Sequence, residues 1–149
     1  NPADSAYGRH RLYLETYLNN KYDEVFIIRL PSLFGKGLKK NVIYDLINRD
    51  YRFLPGPWSF FQYYCLDHIW VDIEKQMDLG IKILNLSTEP VVFDKVLKLF
   101  KPTTAGNISR PTVQEKMVSE HAHHWGKEGR YLYSQEEVLG DLRKFINNE

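Results

Sequence analysis

The stretch Val25-Phe26-Ile27-Ile28-Arg29-Leu30, followed at once by Pro31, constrains the fold more than any other part of the chain. It is short, nearly continuous in apolar side chains and rich in β-branched residues. Such a run favours a strand over a helix, and one covered on both faces, as in a parallel sheet. Pro31 has no N–H to give to a central ladder, so the strand should end there. A second run, Ile81-Lys82-Ile83-Leu84-Asn85-Leu86, reads as another strand. With helical patterns on either side of these strands, the fold class is α/β.

The first helical pattern starts at Asp4 or Ser5, either a suitable N-cap, and should run to about Asn19-Asn20. Leu12, Leu14, Tyr17 and Leu18 would pack one side of it, and Asn19-Asn20-Lys21 is a polar stop. After Pro31 a loop is expected as far as Gly37, where Gly35 and Gly37 permit a sharp turn or a close backbone approach. A second helix is expected over about 38–48, with Val42, Ile43, Leu46 and Ile47 as its apolar face.

Residues 50–64 read as irregular and aromatic, broken by Pro55-Gly56-Pro57, with a short strand over 60–64. Trp58, Phe60, Phe61, Tyr63 and Tyr64 are candidates to cover a cleft. Asp67 is expected to cap a helix over about 68–79, closed by Gly80, with Ile69, Trp70, Ile73 and Met77 at core spacing. Thr88-Glu89-Pro90 should turn the chain into a short helix from Phe93 to Phe100, followed by a polar loop over 101–112. Ser134-Gln135-Glu136-Glu137 matches a capping box, and Val138, Leu139, Leu142, Phe145 and Ile146 give the last helix its apolar face.

Composition narrows the function classes. The 149 residues suffice for one domain with a real core, and 43% hydrophobic with 26% charged residues suits a soluble globular chain. A formal net charge of +1 gives no global pull toward nucleic acid or a membrane surface. Cys65 is the only cysteine, so no internal disulfide is possible, which fits a reducing cytoplasm. The sequence has no apolar run of membrane-spanning length and no signal-peptide pattern, so a cytoplasmic location is expected. Ten Tyr, eight Phe and three Trp are enough to fill a core and line a binding cleft.

Tyr7 and Arg11 lie four residues apart and so project from one face of the first helix. A permanent cation beside a phenol favours the ionised phenol, and a tyrosine so placed can exchange a proton with a substrate hydroxyl. Taken alone, such a pair is more often a surface feature. Gly35-Lys36-Gly37 is not a dinucleotide fingerprint, because neither the third glycine nor the distal acidic residue is in place. Lys39, Lys40 and Asn41 at a helix start suit an anionic ligand such as a phosphate, or are simply solvated. His121-Ala122-His123-His124 beside Glu120 has no spacing that specifies a metal site, and an exposed cluster is expected. Cys65 lies in an aromatic segment, where a buried thiol is inert.

Read together and in order, these pieces resemble the extended short-chain dehydrogenase/reductase family, the NAD-dependent epimerase/dehydratase group acting on nucleotide sugars. Ser5-Ala6-Tyr7-Gly8-Arg9-His10-Arg11 with Glu15 resembles that family's active-site helix, which carries Tyr-x-x-x-Lys. Ile28-Arg29-Leu30-Pro31-Ser32-Leu33-Phe34-Gly35 is similar to the strand and loop that follow it. Cys65-Leu66-Asp67-His68-Ile69 resembles its short strand leading into an Asp-capped helix, and Asn85-Leu86 with Thr88-Glu89-Pro90 its next Asn-bearing strand and turn.

The resemblance implies the C-terminal part of a Rossmann-like parallel sheet plus a small mixed substrate-binding domain. Residues 1–36 would close the nucleotide-binding domain, and 37–149 would be mainly the substrate-binding domain, with one returning strand near 81–86. It implies Tyr7 as the acid/base and Arg11 as its electrostatic partner. Leu30 and Pro31, with Tyr7 and Arg11, would face the NAD or NADP cofactor, and Ser32, Lys40 and Asn41 the nucleotide-sugar substrate. The Tyr7 helix would form a homodimer interface. Two departures stand out: Arg11 where the family has lysine, a swap that is not conservative, and Ser32 where many members have asparagine. The family's glycine-rich turn would precede this stretch, so the chain alone is expected to bind no cofactor. A non-catalytic sugar-nucleotide-binding or dimerisation module is the alternative.

Overall fold

The structure is a computed structural model and describes residues 5–100 and 112–148. Helix α1 (Ala6–Lys21) is capped by Ser5, whose Oγ accepts a hydrogen bond from the Gly8 N–H at 2.9 Å, and Lys21 sits in its last turn. The expected apolar face is largely uncovered: Leu12, Leu14 and Tyr17 are exposed, and Gly8 is the buried residue of the helix.

Strand β1 (Ile27–Arg29) pairs in parallel with β5 (Ile83–Asn85), in the register Ile27 to Ile83 through Arg29 to Asn85. The expected loop after Pro31 instead contains β2 (Ser32–Phe34), parallel to β4 (Tyr63–Cys65). Pro31 therefore marks a change of partner rather than the end of extended chain: β1 bonds one neighbour before it and β2 another after it. A third pair is antiparallel, β3 (Phe60–Phe61) with β6 (Val91–Val92).

Gly35 then turns the chain at φ 146°, where a Cβ would stand 2.9 Å from the Leu66 Cβ, so both backbone and packing require glycine. Helix α2 (Val42–Ile47) is shorter than expected. Asn41 is its cap, and Lys39 and Lys40 lie before it.

A 3-10 turn (Leu66–His68) leads into α3 (Ile69–Asp78). The residue before α3 is His68, without a side-chain cap bond, so Asp67 is not its N-cap; the 3-10 turn takes up that position. Of the expected core face, Ile69 packs against the core and Ile73 is half-buried, but the rest differs. Trp70 and Met77 are exposed, while Asp72 and Gln76 are buried. Helix α4 (Phe93–Phe100) has the expected bounds, and α5 (Gln135–Asn148) opens with the capping box. There Ser134 N–H donates to Glu137 Oε2 at 2.7 Å, and Glu137 N–H to Ser134 Oγ at 3.3 Å. Most of the expected loop over 101–112 lies outside the described residues.

Strand β4 divides two cores because successive side chains point to opposite faces. Tyr63 and Cys65 join Phe34, Ile43, Val96 and Leu142 in one, and Tyr64 joins Ile81, Leu84, Leu86 and Leu132 in the other. Tyr63 and Tyr64 are thus core residues, not a cover over a cleft; Trp58 and Phe60 are exposed. Asp72 ties the second core together. Its carboxylate accepts from Tyr64 Oη at 2.6 Å, Tyr133 Oη at 2.8 Å and Trp125 Nε1 at 2.7 Å. Gln62 pins the segment around Met117: its Nε2 donates to the Met117 carbonyl at 2.7 Å, and its Oε1 accepts from the Met117 N–H at 2.6 Å. No helix among the described residues is long and apolar enough to cross a membrane.

Candidate functional site

Helical spacing brings Tyr7 and Arg11 together as the sequence predicts, but with a particular geometry. The Arg11 guanidinium carbon lies over the Tyr7 ring, 4.5 Å from its centroid. The cation therefore sits on the negative face of the ring as a cation–π pair. Tyr7 itself is 67% exposed, so its hydroxyl is open to a ligand.

One turn on, Glu15 anchors the helix to the sheet. Arg29 at the end of β1 donates from Nε to Glu15 Oε1 at 2.9 Å and from Nη2 to Oε2 at 2.5 Å. The Arg29 hydrogen bonds hold the Glu15 carboxyl below its ordinary range; partial burial opposes this, and the charges of Arg29 and Arg11 add to it. The same bonds raise Arg29. This bidentate pair fixes α1, and with it Tyr7, relative to the carboxyl ends of β1 and β5.

Beside those strand ends is an open cleft of about 460 Å³, lined by Arg29, Asn85, Ser119, Glu120, His121 and Arg130 among others. Two guanidinium groups in one polar cleft can receive an anion. Asn85 donates from Nδ2 to the Val118 carbonyl at 2.8 Å, while its buried Oδ1 has no partner among the described residues. Sequence reasoning missed Ser119 and Arg130, because they come from a segment remote in sequence and without a motif of its own.

None of the expected site residues, Tyr7 and Arg11 included, lines this cleft. Ser32 opens β2, and its N–H donates to the Gln62 carbonyl at 3.1 Å. Asn41 is engaged locally: Oδ1 accepts from Ile43 and Tyr44 N–H at 3.0 and 3.2 Å, and Nδ2 donates to the Leu33 carbonyl at 2.7 Å. Its φ of 120° is unusual for a non-glycine residue and is held by those three bonds. Lys40 is exposed next to it, and Leu30 and Pro31 join β1 to β2.

The histidine cluster is a surface stack, with the His123 and His124 ring centroids 4.0 Å apart. Incomplete hydration, then the neighbouring His123, His121 and Lys75, lower the His124 imidazole from its ordinary value. Cys65 is buried, which pushes its thiol up to about 11.

No protein-family profile matches the chain, and no curated protein matches it by sequence. Solved structures do. The chain is similar to the Bordetella bronchiseptica enzyme WbmG in complex with NAD and UDP, with a TM-score of 0.64 at 16% identity, over 95% of this chain and 50% of that one. It is similar to dTDP-glucose 4,6-dehydratase from Bacillus anthracis in complex with NAD, with a TM-score of 0.65 at 12% identity, over 98% of this chain and 53% of that one. It is also similar to UDP-N-acetylglucosamine 4-epimerase from Bacillus cereus, with a TM-score of 0.63 at 13% identity, over 97% and 53%. The chain therefore shares the Rossmann-like α/β fold of the corresponding half of these enzymes. The chain spans about half the length of the solved structures it matches.

Proposed function

We propose that this chain is the C-terminal half of an NAD(P)-dependent enzyme acting on a nucleotide sugar, with Tyr7 as the acid/base. The observation that carries this reading is the similarity of 95–98% of the chain to about half of enzymes that act on, or are bound to, sugar nucleotides or their nucleotide part. The exposed Tyr7 phenol, fixed to the sheet through Glu15 and Arg29, adds a reactive group at a defined place.

The residues present fit one part of a nicotinamide cofactor's surroundings. Tyr7 offers an accessible hydroxyl, and Leu30 and Pro31 follow the end of β1, where ligands of open α/β sheets bind. Arg11 supplies the charge but cannot lose a proton, so Tyr7 is the proton carrier of the pair. When bound, NAD(P)⁺ would supply hydride chemistry at a sugar carbinol carbon. Tyr7 would act as the acid/base at the hydroxyl of that carbinol. Arg11 keeps a positive charge beside the Tyr7 ring, and Arg29 and Glu15 keep the helix in position. Ser32, Lys40 and Asn41 serve the substrate, with Lys40 as the mobile cation of the three. A cytoplasmic location fits such a substrate and the single reduced thiol.

A second reading rests on Arg11. With its guanidinium engaged on the Tyr7 ring, the same fold can serve as a non-catalytic sugar-nucleotide-binding or dimerising unit. Tyr13, Leu12, Leu14 and Tyr17 are exposed on α1, which suits a helix covered by another half-molecule or by its copy.

The test joins this chain to a preceding nucleotide-binding half and supplies NAD⁺ with UDP- or dTDP-hexoses. Turnover that Tyr7→Phe abolishes, with cofactor binding spared, is the expected result. Turnover unaffected by Tyr7→Phe removes Tyr7 from the mechanism. Sugar-nucleotide binding with no turnover selects the second reading.

A further inference from the structure

Cys65, His68 and Asp141 come from three different elements and play no part in the chemistry above. Cys65 ends β4, His68 closes the 3-10 turn, and Asp141 projects from α5. One ligand atom from each lies within 4.8 Å of the other two. His68 Nε2 and Asp141 Oδ2 are already 2.7 Å apart. The His68 ring is held in place by stacking on Tyr133, with centroids 5.1 Å apart and planes at 21°, and by an edge contact with Tyr64. The thiol is buried, whereas the His68 side chain is 37% exposed, so an ion can reach the cluster from the imidazole side.

We propose that Cys65, His68 and Asp141 form a binding site for a divalent transition-metal ion of the Zn²⁺ class. A thiolate, an imidazole and a carboxylate are the donors that a borderline-soft, tetrahedral ion takes, and three of them leave a fourth position for water. Bonds of about 2.0–2.3 Å to such an ion set its ligand atoms roughly 3.5 Å apart. The His68–Asp141 pair need only open slightly to meet that spacing, and the sulfur is already within 4.8 Å of both of their ligand atoms.

The other groups facing the cluster are Asp67 and Lys144. Asp67 hydrogen-bonds the thiol through its backbone N–H and its carboxylate, and Lys144 Nζ stands 3.6 Å from Asp141 Oδ1. An ion bound here takes the thiolate form of Cys65 and displaces its proton, so affinity falls as the solution is acidified.

Cobalt(II) is the probe, because a thiolate bound to it absorbs in the near ultraviolet and Cys65 is the only cysteine in the chain. The band therefore reports this site and not the His121, His123 and His124 stack. Titration of the unaltered chain at neutral pH should raise the band to saturation at a single equivalent, and Zn²⁺ should bleach it. His68→Ala and Asp141→Asn should each weaken binding by roughly tenfold or more. The triple change His121→Ala, His123→Ala and His124→Ala should leave the band intact. Cobalt binding without the thiolate band overturns the proposal, as does a band that survives both His68→Ala and Asp141→Asn. Should one of those two variants fail to fold, the other decides alone.

Discussion

Arg29 holds both carboxylate oxygens of Glu15, joining the middle of α1 to the end of β1 across 14 positions of sequence. Few side chains of α1 are buried among the described residues, and this pair ties the helix to the sheet. Glu15→Gln is expected to lower stability by about 0.5–1 kcal/mol near neutral pH, the pair being only partly sheltered. The Glu15 carboxyl is lowered from its ordinary value of 4.5 in the folded chain. Its contribution is therefore full above 4.5 and is lost as pH falls through the lower, folded value. Urea unfolding of the wild type and Glu15→Gln should differ at pH 7 and converge in acid.

The Asp72 carboxylate accepts three hydrogen bonds in the second core, two from tyrosine hydroxyls and one from an indole. Asp72→Ala leaves one buried donor, Tyr64, and two half-buried ones, Trp125 and Tyr133, without their acceptor and should cost about 3 kcal/mol. Tyr133→Phe removes one donor from a carboxylate that keeps two and should cost about 1 kcal/mol. Thermal unfolding of the two variants should rank them in that order.

Gly35 combines a positive φ with a contact that allows no Cβ. Gly35→Ala should destabilise by about 1–3 kcal/mol, through backbone strain and displacement of Leu66. Gly37→Ala, where a Cβ meets open space but φ is 84°, should cost less. Chemical denaturation of both variants tests the difference.

Tyr7 is exposed, with the Arg11 guanidinium over its ring. Tyr7→Phe should therefore change stability by less than about 0.5 kcal/mol, so any loss of turnover in a complete enzyme reports chemistry and not folding.

Local rules made part of this legible. Ser5 and Ser134 act where capping chemistry puts them, and the β1 and β5 runs form the parallel pair that their apolar continuity suggests. What escaped is tertiary. The periodicity of α3 points to Trp70 and Met77, yet the buried face carries Asp72 and Gln76, because each finds buried hydrogen-bond partners that no local pattern reveals. β2 was hidden because Pro31 reads as a terminator, whereas it separates ladders to two different neighbours. The Tyr7–Arg11 pair follows from helical spacing, but the placing of the cation over the ring face does not. The cleft residue Arg130 and the Cys65–His68–Asp141 cluster depend on α5 and the segment before it returning to β4 and β5, which no spacing in the sequence encodes.

The proposed function requires Tyr7 to serve a nucleotide-sugar reaction while residues other than these 149 hold the cofactor's phosphates. Calorimetric titration of NAD⁺ into the 149-residue chain at neutral pH tests it most directly. The account predicts no binding heat. Saturable binding at micromolar affinity would mean that the cofactor site is complete within these residues, and would contradict it.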